Sequence, residues 1–438
     1  MFCQLEILRD CLPPSVRRTL DELPESLDKT YERILKEIKK PNRDSARRLL
    51  SCLVAAVRPL EVEELAEVLA VDYEDEEGIP RLTPNWRWED QEQALLTSCS
   101  SLIDIIESGE SRVVQFSHFS VREFLTSDRL AASSGDVLRY HIALEPAHTI
   151  LAQACLGVFL PSDDRDEQNG VKDNLNSPLS KYAAQHWVVH AKYENVSARL
   201  RKAMEYLFDP DKPYFWAWRE LHDMDTYSAN RSTFHEFTLD SKAGAVPLYY
   251  AALCGFQDLV EHLISKYPQH VNASGGHYVS PLVAALTAEH FQTAKILLDN
   301  GADPNVKGYN GTTPLHSAAY YSDLRMVQVL LDFKADVNAR CDFGATPLHF
   351  SPNKRWSGPP HHHMQNISRI LLEHGADVNA RSDDLSTPLH NVARFGSIDA
   401  IRVLLEHGAS VAAEDEQGRT PYQLVSKAKR LLLEHGVR

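Results

Sequence analysis

One short phrase returns six times between residues 244 and 433. VPLYYAA begins at Val246, SPLVAAL at Ser280, TPLHSAA at Thr313, TPLHFS at Thr346, TPLHNVA at Thr387 and TPYQLV at Thr420. Their prolines, Pro247, Pro281, Pro314, Pro347, Pro388 and Pro421, lie 34, 33, 33, 41 and 33 residues apart. A near-constant period of this length specifies a stack of similar supersecondary units rather than one closed core. The third unit shows how each is built. Thr313 is placed to cap a helix, with Pro314 in its first turn, where a missing N–H costs nothing. Leu315, Ala318 and Ala319 give that helix a thin apolar face. A second helix follows, with Met326, Val327, Leu330 and Leu331 at helical spacing. The unit closes on Ala335-Asp336-Val337-Asn338, and Phe343-Gly344 breaks the chain before the next start. Elsewhere the close reads Gly301-Ala302-Asp303, Gly375-Ala376-Asp377 and Gly408-Ala409-Ser410, with glycine suited to a left-handed C-cap. No unit of this size can bury its apolar face alone, so the units must stack.

The period and the Thr-Pro-Leu-His core resemble the ankyrin repeat. The resemblance implies an α-solenoid over residues 241–438, of about six repeats with the last truncated. In ankyrin-like repeats the core histidine, here His316, His349 and His390, bonds the backbone of the adjacent turn, so a structural role is expected of it. Such proteins bind partners through hairpin tips and through the exposed end of each first helix. On this sequence the tips give Lys307, Tyr309, Asn310, Arg340, Asp342, Phe343, Arg381, Asp383, Asp384, Glu414 and Glu416. The helix ends give Tyr320, Tyr321, Arg394 and Phe395. Aromatics and arginine at such positions are what binding hot spots favour; the competing role for Tyr320 and Tyr321 is packing between repeats. The fourth unit is irregular. Ser351-Pro352 replaces the Ala-Ala pair, which should end its first helix early. Eight extra residues lie before the second helix, and the loop carries Lys354, Arg355, Trp356 and His361-His362-His363, so residues 352–366 are expected to project, with Trp356 a further partner contact.

At 438 residues the chain is too long for one core. Its formal net charge of −15 disfavours non-specific attraction to nucleic acid or to anionic membrane. Seven cysteines, scattered from Cys3 to Cys341 with no CxxC, read as a reduced, cytoplasmic or otherwise intracellular protein without a thiol metal site. There is no signal-like start and no run of 18 apolar residues, so no membrane association is expected.

The first half divides into three expected segments. Residues 1–42 read as helices, with Leu27, Tyr31, Ile34, Leu35 and Ile38 on one stripe. Leu5, Ile7 and Leu8 already look like part of a packed helix, which suggests a fragment of a longer protein. Residues 43–135 read as three helices and a hairpin, the outline of a winged helix. The helices are placed near 44–56, 61–70 and 90–99. The strands are Ser101 to Ile106 and Arg112 to Phe116, and a last helix starts from a Ser120/Glu123 capping box. Residues 136–240 read as a helical linker followed by an aromatic, irregular stretch with Tyr214, Phe215, Trp216, Trp218, Phe234 and Phe237. That stretch is expected to cover the open end of the first repeat. A winged helix raises DNA binding, but residues 59–80 hold nine carboxylates and no Lys or Arg, which opposes a phosphate backbone.

LDELPESLDKTYERILKEI, RPLEVEELAEVLAVDY, CSSLIDII, VVQFSHFSVREFLTSDRLA and SKYAAQHWVVHA together resemble the region downstream of the NTPase module in fungal NACHT–ankyrin proteins. These belong to the STAND class of NLR-like switches. The resemblance runs over essentially the whole chain. It implies a preceding nucleotide-binding module and a solenoid that acts as the sensor or partner-binding end. Residues 1–42 resemble only the tail of that module, and no GxxxxGK[ST] loop is present, so no nucleotide site transfers to any residue here. No GxSxG, HExxH or paired-carboxylate signature occurs either, and His118 has no evident nucleophile partner. The expectation is therefore a mainly α chain that recognises a protein partner, with no catalysis, cofactor or metal. The rival readings are a passive ankyrin scaffold and a DNA-binding regulator.

Overall fold

A computed structural model describes residues 27–73, 78–109, 111–161, 175–225, 245–321, 323–351, 362–395 and 398–424. The chain divides into two units, Met1–Tyr227 and Ser228–Arg438, and is mainly helical.

In the first unit α1 (Leu27–Glu37) buries Tyr31, Ile34 and Leu35, the stripe its periodicity marks. Helix α2 (Arg43–Ala55) buries Leu49, Leu50 and Val54 and stops ahead of Arg58-Pro59. Strand β1 (Leu60–Glu61) leads into α3 (Val62–Glu67), whose start is a capping box between Glu61 and Glu64. A small antiparallel pair follows, β2 (Val71–Asp72) with β3 (Arg81–Leu82), and then α4 (Gln91–Cys99). Strands β4 (Ile103–Ser108) and β5 (Ser111–Phe116) form the expected hairpin, with Ile105 opposite Val114. Beyond the expectation, β1 joins it through Leu60 opposite Val114, giving sheet order β1-β5-β4. Three helices and this sheet make a winged-helix-like domain.

Helix α5 (Phe119–Leu125) begins earlier than the Ser120/Glu123 box would place it. Its cap is His118, whose ring accepts the Ser120 N–H. The Ser120 hydroxyl lies 2.6 Å from His118 Nδ1 and 2.7 Å from the Tyr31 hydroxyl, so it ties α5 to α1 instead of capping a later turn. The short α6 (Asp128–Ala131) is capped by Ser127.

Helix α7 (Leu144–Phe159) is buried on several faces and packs against α2 and β3. Gly157 makes this possible: a Cβ there would meet Val71 Cγ1 at 3.4 Å and the backbone of Pro80 and Leu82 at 3.5 Å. Helix α8 (Ser180–Ala191) lies along α7, followed by α9 (Val196–Arg199) and α10 (Arg201–Leu207). The stretch expected to be irregular is in part a helix, α11 (Tyr214–Leu221). Its Tyr214, Phe215 and Trp218 are buried, with Trp218 edge-on to Trp187 at 5.3 Å and next to Phe208 at 5.7 Å. These aromatics complete the helical core of the first unit rather than covering a repeat; Phe234 and Phe237 lie outside the described residues.

The second unit is a run of helix pairs: α12 (Pro247–Cys254) and α13 (Gln257–Lys266), α14 (Pro281–Thr287) and α15 (Phe291–Asp299), then α16 (Pro314–Tyr321) and α17 (Leu324–Asp332). The fourth pair is α18 (Pro347–Phe350) and α19 (His362–Glu373), the fifth α20 (Pro388–Phe395) and α21 (Ile398–Glu406). Helix α22 (Pro421–Leu424) opens the sixth. Second helices pack on second helices along the whole run. First helices pack directly on first helices except between α14 and α16, which approach each other less closely.

In the fourth pair α18 lasts one turn, as Pro352 requires. Ser351 takes the place of a small alanine, and its buried hydroxyl lies 2.9 Å from that of Ser368 on α19. Residues 362–366, which were expected to project, belong to α19; the rest of the expected segment lies outside the described residues. Lys354, Arg355, Trp356 and His361 lie outside the described residues.

Candidate functional site

The solenoid surface is fixed by three sets of hydrogen bonds that recur along the repeats. In the first set, the N–H of Thr313, Thr346 and Thr387 donates to Nδ1 of His316, His349 and His390 at 3.0–3.1 Å. Nδ1 is therefore the bare nitrogen, and Nε2 carries the proton. Nε2 donates into the next repeat, to the carbonyls of Ala345 (3.1 Å), Ser386 (3.1 Å) and Arg419 (3.0 Å). Burial lowers the pKa of all three rings, that of His349 to about 4. They are neutral structural connectors, as their position in the core phrase implied. The first repeat uses Tyr249 at the same place, its hydroxyl accepting from Tyr278 N at 3.1 Å.

In the second set, Asn272, Asn305, Asn338 and Asn379 accept the N–H of Asp303, Asp336, Asp377 and Ser410 at 2.7–2.8 Å. In the third, the tips join edge to edge: Asp342 N to Asn310 O, Asp383 N to Phe343 O and Glu416 N to Asp384 O, each 2.9–3.0 Å. The tips thus form one continuous, pre-ordered ridge.

On that ridge Lys307, Asn310, Asp342, Phe343, Arg381, Asp383, Glu414 and Glu416 are exposed. Two of the expected contact residues serve the ridge itself. Arg340 donates to Arg381 O at 2.8 Å and lies 3.6 Å from the Asp383 carboxylate. Asp384 accepts the hydroxyls of Ser382 (2.6 Å) and Ser386 (3.0 Å) and the Ser386 N–H. Burial opposes its ionisation, but these donors outweigh it and hold the carboxyl below the ordinary range. Tyr320 is half-buried, 6.5 Å from the Phe350 ring of the next repeat, while Tyr321 is 40% exposed. Arg394 is exposed. The side chains of Tyr309 and Phe395, and Trp356 altogether, lie outside the description.

Leu385 was missed by the sequence reading. It occupies the turn position held by Gly311, Gly344 and Gly418 in the other tips, with φ +57° where theirs are +66° to +68°. It is 43% exposed, one tip along from Phe343 at 61%. The signal was there: a leucine in a glycine register.

In the first unit, α3 does not present the bare acidic face that residues 59–80 suggested. Glu64 holds Arg58 at 2.6–2.7 Å, Glu67 holds Arg87, and Glu63 lies 3.4 Å from Arg112. Arginines from outside that window partner its carboxylates. A second buried chain runs Val57 N to the Tyr182 hydroxyl (3.2 Å), Tyr182 to His190 Nε2 (2.9 Å), and His190 Nδ1 to His148 Nδ1 (2.9 Å). The hydroxyl accepts from Val57, and each of the other two contacts shares one proton between its two atoms. His190 is fully buried, and burial lowers its pKa to about 3. Among the described residues no group of three or more His, Cys, Asp or Glu is placed to hold a metal ion, and no helix is long and apolar enough to cross a membrane.

Residues 282–382 and 371–425 match models of ankyrin repeats. The second unit is an ankyrin-repeat solenoid. Residues 31–135 match the model described as GPI inositol-deacylase, winged helix domain. Azaphilone pigments biosynthesis cluster protein L of Monascus ruber is 31% identical over 301 residues, 65% of this chain and 61% of that protein. Alpha-latrocrustotoxin-Lt1a of Latrodectus tredecimguttatus is 37% identical over 65 residues, 15% of this chain and 5% of the toxin. The chain spans less than two thirds of either relative's length. Ankyrin repeats give the chain a protein–protein interaction role.

Proposed function

We propose that the chain is the recognition part of an NLR-like sensor or signalling protein. Its ankyrin tips hold a protein partner, and the chain itself carries out no catalysis and binds no nucleotide or nucleic acid. It works in the cytoplasm, beside or attached to an NTPase module of the NACHT kind. The resemblance of the first unit to NACHT–ankyrin proteins supports the setting, and the pre-ordered ridge supports the mode of binding.

The observation that carries the binding surface is Leu385. A non-glycine residue in the left-handed region costs about 1–2 kcal/mol, and a leucine left 43% exposed recovers only part of it by burial. Glycine stands at that position in three sister tips, so the fold has no need of leucine there. Strain kept where the scaffold does not require it marks a functional contact. With Phe343 one tip away, Leu385 gives an apolar centre, rimmed by Arg381, Asp342 and Asp383, of the kind that anchors a partner.

Leu385→Gly tests this directly. The variant should be as stable as the parent or up to about 1 kcal/mol more stable, because relief of strain outweighs the added freedom of the unfolded chain. The same variant, and Phe343→Ser, should lose the proteins that crosslink to residues 340–385 in extracts of the source cells. Undiminished crosslinking by both variants would remove the ridge as the binding surface.

A further inference from the structure

Two of the largest side chains of the first unit stand in solvent. Trp86 is 51% and Trp88 55% exposed, whereas Trp187 and Trp218 are fully buried. They sit on the connection from β3 to α4, and that connection is tightly held. Thr83 N donates to Ala70 O at 2.8 Å, Trp86 N to Thr83 O at 2.9 Å and Arg87 N to Pro84 O at 3.1 Å. At the far end the Asp90 carboxylate accepts Gln93 N at 2.9 Å.

Between the two indoles, Arg87 turns inward. Its Nε lies 3.0 and 3.1 Å from the two carboxylate oxygens of Glu67, and an Nη donates to the same carboxylate at 2.5 Å. Glu67 is 1% exposed and also accepts the Ser177 hydroxyl at 2.8 Å. A bidentate, charge-assisted clamp on a buried carboxylate is among the most directional contacts a side chain can make. It fixes the middle of a Trp-Arg-Trp sequence and leaves the two indoles outside. Ordered aromatics that lose little freedom on contact are what binding sites favour.

The local charge selects the partner. Glu89 and Asp90 follow Trp88 directly and are exposed. The one cation between the indoles is engaged by Glu67, and Arg112 is drawn to Glu92 and Glu63. An indole face carries negative quadrupole charge and attracts a guanidinium or ammonium whose apolar stem lies along the ring. Carboxylates beside it add to that attraction and repel phosphate.

We propose that Trp86 and Trp88 form a docking surface, separate from the ankyrin ridge, for an arginine- or lysine-bearing segment of a partner protein. The test titrates the full-length chain, with 15N-labelled indoles, using a nine-residue alternating Arg-Gly peptide. A Leu-Ser peptide of equal length and a short single-stranded DNA serve as competing probes. Trp86→Phe and Trp88→Phe assign the two indole signals. Those two signals should shift with the Arg-Gly peptide, and Trp86→Ala/Trp88→Ala should weaken binding by at least about tenfold. Each Phe variant should retain part of it, and Glu89→Gln/Asp90→Asn should weaken it a few-fold. Both indoles are exposed, so thermal melting of the Ala variant should match the parent. Equal affinity for parent and double-Ala variant would reduce the effect to general attraction by an acidic chain and overturn the proposal. Tighter binding of the Leu-Ser peptide or of the DNA at the same indoles would overturn it as well.

Discussion

Polar contacts reach differently in the two units. In the ankyrin solenoid a side chain finds its partner about one repeat along the chain: Asn272 meets Asp303, 31 residues on, and His316 meets Ala345, 29 residues on. Each bond type recurs, and each repeat is held by its neighbours. In the first unit several of the contacts are single and long-range. Tyr31 meets Ser120 at a separation of 89, Glu67 meets Ser177 at 110, and Val57 meets Tyr182 at 125. The solenoid thus spreads its cohesion over many replaceable links, and the first unit concentrates it in a few. Loss of one link should therefore be local and modest in the solenoid and severe in the first unit.

The largest test is Arg87→Ala. It strips the partner from Glu67, a carboxylate with 1% exposure, and leaves a buried charge with only a serine hydroxyl. The expected cost is about 3 kcal/mol, read as a lower urea midpoint. Hydrogen exchange should speed up in α3 and α7 and stay unchanged in α16 and α17. Equal protection in parent and variant would mean that the clamp does not hold the first unit.

Acid should weaken both units, each through a buried histidine. His190 and His349 are bases whose folded pKa values, about 3 and about 4, lie below the unfolded value near 6.5. Above pH 6.5 both states are neutral and the full stability is present. As pH falls below 6.5 the unfolded chain takes up protons that the folded chain refuses, so stability is lost, by about 2 kcal/mol per ring at pH 5. The sixth repeat shows how to separate the units. Its phrase is Thr-Pro-Tyr-Gln, and Gln423 Oε1 accepts Thr420 N at 3.0 Å without any titration. His349→Gln should abolish part of the acid loss in the solenoid and leave that of the first unit intact. A pH profile of exchange in α18 and α20 that is unchanged by the substitution would contradict this.

How much could be read from the sequence follows the same division. A contact that recurs with the repeat is written in the repeat, which is why helix starts, the histidine role and the early end of α18 were all legible. A contact made once across 110 residues leaves no periodic trace. The pairing of β1 with β5, the partnering of Glu63 by Arg112 49 residues on, and the burial of Tyr214, Phe215 and Trp218 in the first unit were for that reason hidden; Arg58 and Arg87, six and 20 residues from Glu64 and Glu67, lay outside the acidic stretch that was read. Ser120 was misread because a capping box is local, whereas its actual partner, Tyr31, is remote. Leu385 and the Trp86/Trp88 pair were visible as residues. Only the backbone angle of the first and the inward turn of Arg87 beside the second made them informative.

Thr346→Ala should cost about 1 kcal/mol. The Thr346 side chain and His349 cap each other reciprocally, but neighbouring repeats carry the same device and limit the damage. No shift in urea midpoint would count against the cap.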